Sequence, residues 1–291
     1  MALTDHGNPI LTPETFRGER GEGMTRAGVA AWLVFSIALL LGGASYSWSK
    51  ALKAFDGFDF STIKHLPTGE KDSKGKDVLK SVVVDPQTGE QTSVPKFDLS
   101  EVTTLALIGS LGGLVIAFII IFWRQTAPIL LGPYAILEGL ALGGTSAIAE
   151  VQFEGIVMQA VALTGCMLVV MLVLFATGIL RATPALTAGL LASMLGVLGL
   201  YLADLGFVVF GGEGLSIIHS NSWAAIGVSC FVCLLAAFNF IIDFETIEQG
   251  VREKAPKYMA AYAAFGVLVT LVWLYIEVLR LLIKLRSRDD D

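Results

Sequence analysis

The chain has 291 residues, of which 54% are hydrophobic and only 16% charged; its mean hydropathy is +0.70. Its charges are clustered: residues 1–26 carry 7, residues 49–101 carry 17 and residues 286–291 carry 5, which leaves 17 for residues 102–285. A typical soluble domain is about a quarter charged, so this pattern excludes a soluble globular enzyme, a nucleic-acid binder and a disordered chain, and it predicts a polytopic protein whose first partner is the lipid bilayer. The net charge of −6 and the lack of a dense Lys/Arg cluster argue further against nucleic acid.

After a polar tail at residues 1–26, residues 27–48 form the first predicted span, flanked by Arg26 and Lys50. Residues 49–101 read as a small soluble insert, with eight Lys and nine acids. Turn signals stand at Pro67-Thr68-Gly69 and Pro86-Gln87-Thr88-Gly89, and strands are expected at 80–85 and 91–94 around the second turn. Six further spans follow in residues 102–285: 102–123, 127–149, 155–178, 185–204, 223–242 and 259–283, before the charged tail 286–291. Each has the roughly 20 mostly apolar residues that cross about 30 Å of hydrocarbon at 1.5 Å per residue. Residues 205–222 are Gly-rich and half apolar, and read as a loop, an interfacial turn or a re-entrant piece. The fold class is therefore an all-α seven-helix membrane bundle with a soluble insert between its first two helices.

Gly139-x-x-x-Gly143 and Gly189-x-x-x-Ser193 fit close helix contact. Cys166, Cys230 and Cys233 all lie in apolar runs and read as packing residues rather than a redox motif. Orientation follows the basic residues. With the N-terminus inside, Arg17, Arg20, Arg26, Arg124, Arg181, Arg252, Lys254 and Lys257 all fall on the inner side. Seven spans then put Arg286 and Arg288 outside, against that trend, unless residues 205–222 cross or one span is re-entrant.

Ionisable groups at bilayer depth are expensive and mark function by default. Five fall in the spans: Glu138, Asp204, Asp243, Glu277 and Arg280. Asp204 stands at a span end, where it is expected to face water. Arg280 is an ion-pair candidate for Glu277, three residues earlier on the same helical face. Glu138 lies mid-span, and Asp243 closes the sixth span at the start of Asp243-Phe244-Glu245-Thr246-Ile247-Glu248. Two carboxylates facing one interior site can share a proton if they lie within about 4 to 6 Å. Such oxygen ligands suit Ca²⁺, so Asp243 and Glu138 are candidates for a transient calcium site. There is no Walker loop, no His-Glu-x-x-His and no Gly-x-Ser-x-Gly. No catalytic residue is expected, and no cofactor beyond calcium as a transported ion.

Ile242-Asp243-Phe244-Glu245-Thr246-Ile247-Glu248-Gln249-Gly250-Val251 resembles the sixth-span motif of bacterial Bax inhibitor-1/YccA-like proteins. Tyr262-Ala263-Ala264-Phe265-Gly266 and Trp273-Leu274-Tyr275-Ile276-Glu277 resemble that family's last span, and Pro133 through Gly143 its acidic third span. Asn8-Pro9-Ile10-Leu11 and Met24-Thr25 are similar to the subgroup's N-terminus, while residues 49–101 stand apart as an insertion. The resemblance implies seven helices around a central last one, in a bacterial inner membrane. It also implies a pH-sensitive calcium leak controlled by a carboxylate pair in the sixth and seventh helices. The first acid carries over onto Asp243. The place of the second falls near Tyr275 or Ile276, so Glu277 is the nearest carboxylate and Glu138 the substitute. The alternative implied by the family is a non-transporting regulator that binds a membrane protease or stress-response partner, here through the tail and insert.

Overall fold

The computed structural model describes residues 23–54, 63–71, 77–84, 91–93, 100–210, 215–220 and 222–289. Eight helices are present among them: α1 (Arg26–Ala54), α2 (Ser100–Phe122), α3 (Ala127–Gln152), α4 (Ile156–Ala176), α5 (Pro184–Val209), the four-residue α6 (Ser216–His219), α7 (Trp223–Arg252) and α8 (Tyr258–Asp289). All but α6 are long and apolar enough to cross a membrane. The described part of residues 205–222 adds no crossing, because α5 absorbs its start and α6 is one turn long. Seven crossings leave the start of α1 and the end of α8 on opposite sides.

Between α1 and α2 lie three strands, β1 (Ile63–Lys71), β2 (Asp77–Val84) and β3 (Gln91–Ser93), in an antiparallel meander ordered β1-β2-β3. β2 and β3 occupy the two places where strands are expected. The turn expected at Pro67-Thr68-Gly69 is instead part of β1, where the register with β2 shifts between Pro67 and Lys71. Pro removes a ladder donor, so a bulge accommodates it without ending the strand. The second expected turn, Pro86–Gly89, lies outside the described residues.

α8 is the central helix. It contacts α1, α3, α4 and α7, and its first half, from Met259 to Leu268, is almost entirely buried. α1 and α2 reach α3 through glycines. A Cβ on Gly139 would stand 2.1 Å from the Leu40 carbonyl oxygen, one on Gly143 2.3 Å from that of Ala44, and one on Gly109 2.4 Å from that of Leu137. Backbone therefore lies on backbone along two faces of α3, the arrangement small residues permit where lipid supplies no hydrophobic drive. Gly189 has open space around it, so the second small-residue pattern makes no such contact. Cys233 is buried, whereas Cys166 and Cys230 are exposed on the bundle's outer surface, and all three thiols are free.

The helix ends follow local rules. Thr183 and Ser222 cap α5 and α7 by accepting from Leu186 and Ala225 N–H groups. Glu150 accepts from Gly155 and Val157 N–H at 2.7 and 3.0 Å, and so closes the α3–α4 turn. α7 ends in a Schellman pair, Ala255 N–H to Gly250 O and Lys254 N–H to Val251 O. That motif puts Lys254 at φ 53°, a left-handed conformation that favours glycine. Lys254→Gly is therefore expected to raise stability by about 1 kcal/mol, read as a higher midpoint of thermal unfolding in detergent. The segment before α1 straps this turn: Met24 N–H donates to Ala255 O at 2.6 Å, Gly23 bridges Pro256, and Arg26 pairs with Glu248.

Candidate functional site

α7 runs ten residues past the expected end of its span, to Arg252. Asp243 therefore sits within a continuous helix rather than at its end. It is 0% exposed. Thr270 of α8 donates its hydroxyl to Asp243 Oδ2 at 2.7 Å and accepts from Asn239 Nδ2 at 3.1 Å. Thr246, one turn beyond Asp243, turns its hydroxyl back to Ile242 O at 2.6 Å. Asn239 Oδ1 is buried and has no hydrogen-bond partner among the described residues. These groups make one end of a polar seam between the antiparallel helices α7 and α8.

Glu277 belongs to the other end. It is 2% exposed. It accepts from the Tyr201 hydroxyl of α5 at 2.7 Å and pairs with Arg280 at 3.3 Å. Arg280 also donates to the Tyr201 oxygen at 2.7 Å and lies over the Tyr201 ring. The cluster is a closed triad of acid, phenol and guanidinium. Removing one partner of a buried ion pair costs about 3 to 5 kcal/mol, while replacing both with apolar groups costs much less. Arg280→Met alone is expected to lower stability toward the lower figure, because Arg280 keeps some exposure. Glu277→Leu with Arg280→Met should recover most of the loss in the same unfolding measurement.

The antiparallel register separates the two acids. Thr270 lies across from Asp243, and Lys284 lies across from Ser229, where its ammonium donates to the hydroxyl at 2.7 Å. Glu277 is midway between these rungs, seven residues from Thr270. That is two helical turns, about 10 Å along the axis, too far for a shared proton. The place near Tyr275 or Ile276 is not across from Asp243 either. Tyr275 hydrogen-bonds Ser146 at 2.6 Å, and both residues line a cavity of about 470 Å³ between α1, α3, α4 and α8. A threonine, Thr270, fills the position facing Asp243.

Glu138 has neighbours of its own on α2 and α3. It is half-buried and bonds to Tyr134 one turn earlier. A Cβ on Gly113 of α2 would stand 2.8 Å from its Oε1, so its carboxylate fills the space that Gly113 leaves. The Glu138 carboxylate is thus directed at α2, whereas Asp243 bonds Thr270 of α8. Among the described residues no three His, Cys, Asp or Glu side chains cluster as metal ligands. Asp204 accepts from Leu215 N–H at 2.6 Å and ties the end of α5 to the following segment.

Sequence reasoning finds the acids and misses their partners Thr270 and Tyr201, as well as Asn239, which bonds Thr270, and the Lys284–Ser229 pair. A signal exists for some of them. Asn239 precedes Asp243 by four residues, and Thr270, Glu277 and Lys284 recur every seven along α8, which puts each set on one helical face.

A bundle of seven apolar helices with carboxylates buried on α7 and α8 defines a class of polytopic membrane proteins with a polar interior. The model of the family described as Bax inhibitor 1 like matches residues 78–287, from β2 almost to the end of α8, and the chain belongs to that family. No curated protein and no solved structure matches it.

Proposed function

We propose that the protein is a cation leak controlled by protonation, with Asp243 as the controlling group and Ca²⁺ as the ion its oxygen ligands suit. The carrying observation is the fully buried Asp243 carboxylate held by Thr270 inside the α7–α8 seam. Because Asp243 and Glu277 lie about two turns apart, this reading does not rest on a dyad of those two carboxylates. An ionised Asp243 holds Thr270 by a charge-assisted hydrogen bond and clamps the two helices. Protonation removes the charge and weakens the clamp, so flux rises as pH falls. A leak needs weak sites that release the ion.

In this reading the chain is a passive conduit, not an enzyme, and needs no resident cofactor. It sits in a bacterial inner membrane with its N-terminus in the cytoplasm. Arg26, Arg124, Arg181, Arg252, Lys254 and Lys257, gathered at one end of the helices, support that orientation. The test is Ca²⁺ entry into dye-loaded proteoliposomes across about pH 6 to 8, the range in which perturbed carboxylates titrate. Flux that rises toward the acid end supports the leak. A wild type silent at every pH overturns it and leaves the regulator that docks a membrane protease or stress-response partner through the insert.

A further inference from the structure

We propose that Lys284 is a fixed positive charge that restrains cations at the end of the α7–α8 seam where α7 begins, and so sets which ions pass. The inference rests on the leak reading and adds a selectivity element to it. Three basic residues, Arg280, Lys284 and Arg288, recur every fourth position along α8 and share one face. Arg280 is matched by Glu277. Arg288 lies 3.4 Å over the Trp223 ring at the start of α7. Lys284, between them, is only 5% exposed.

The Lys284 ammonium donates to Ser229 Oγ at 2.7 Å and to Ala225 O at 3.4 Å, both on α7. Its ionisable neighbours are Arg280, Glu277 and Cys233. Among the described residues no carboxylate lies within ion-pair distance of it. The first turn of α7 adds the positive end of a helix dipole beside it. A charge with no carboxylate in ion-pair contact is costly at membrane depth, and a neutral side chain could tie α8 to Ser229 equally well. What only the ammonium supplies is the charge. Asp243 attracts cations at one rung of the seam, and Lys284 opposes them two rungs away.

Three variants separate charge from hydrogen bonding. Lys284→Met removes both, Lys284→Gln keeps a donor for Ser229 without the charge, and Lys284→Arg keeps the charge. Each is reconstituted in proteoliposomes, with folding checked by monodisperse elution and helical circular dichroism. Ca²⁺ flux and the reversal potential across a KCl gradient are then measured. Lys284→Met and Lys284→Gln are expected to raise cation flux about tenfold, equivalent to about 1.4 kcal/mol of repulsion removed, and to shift the reversal potential toward greater cation preference. Lys284→Arg should match the wild type. If Lys284→Met does not fold, Lys284→Gln decides alone. If the wild type conducts and Lys284→Gln is unchanged, or if Lys284→Arg rises with the neutral variants, the charge proposal fails while the leak reading stands. If no protein conducts, both fail. A silent wild type overturns the leak reading and, with it, this inference, whatever the variants do.

Discussion

Asp243→Asn is expected to raise Ca²⁺ flux at neutral pH by about five- to tenfold and to flatten its pH dependence. The asparagine keeps the size of the aspartate and an oxygen for Thr270, so packing at this fully buried position is preserved. It loses the charge. A hydrogen bond to a charged group contributes about 1.5 to 3 kcal/mol and a neutral one about 0.5 to 1.5. The difference, about 1 to 1.5 kcal/mol, corresponds to roughly five- to tenfold in a closed–open equilibrium. The sign follows from which state holds the charge. If the closed seam contains ionised Asp243, lowering pH opens it, and the asparagine variant behaves at every pH as the protonated wild type does. A variant that retains the wild-type pH profile removes Asp243 from the control of the leak. Thr270→Val removes the donor from the same bond and should raise flux at neutral pH in the same direction, while keeping a residual pH response because the carboxylate remains.

Gly139→Ala and Gly143→Ala are each expected to destabilise the bundle by about 3 kcal/mol, the upper end for overpacking. The added methyl at Gly143 meets not only the Ala44 carbonyl oxygen but also Ala44 Cα at 2.7 Å. These are backbone atoms, which no side-chain rotation can clear, so α1 must move away from α3. Gly143→Leu should abolish recovery of folded protein. The contrast is Gly189→Ala, where the new methyl has open space and helix propensity alone favours alanine by up to about 1 kcal/mol. Thermal unfolding in one detergent separates the two classes. Equal effects at Gly139 and Gly189 would contradict the close α1–α3 packing.

The contrast between these glycines also shows how far the sequence is legible. Both small-residue patterns have the same spacing, yet only the one on α3 meets a neighbouring backbone. A helical period says which residues share a face, not whether that face meets helix or lipid, because both are apolar. The usual sequence signal for burial is therefore silent inside a membrane. The same limit explains why α7 runs past its apolar stretch. Thr246 and Gly250 lie in a polar run yet are buried, since α8 and the strap before α1 cover that end.

Asp243, Glu277 and Glu138 stand out from the sequence because a charge at bilayer depth is costly and few are present. Their grouping does not. Asp243 and Glu277 are 34 positions apart in the chain, and whether they meet depends on the register of two antiparallel helices.

Hydrophobic run length and the cost of buried charge determined, from the sequence by itself, that this is a seven-helix membrane protein and that three carboxylates merit attention. Both are properties of single segments against a bilayer. Only the tertiary structure decided that Asp243 faces Thr270, that Glu277 closes on Tyr201 and Arg280, that Glu138 fills the hollow at Gly113, and that Lys284 bonds Ser229 across the seam. Each is a contact between helices, and the register that sets it comes from packing geometry, here backbone against backbone at the glycines of α3.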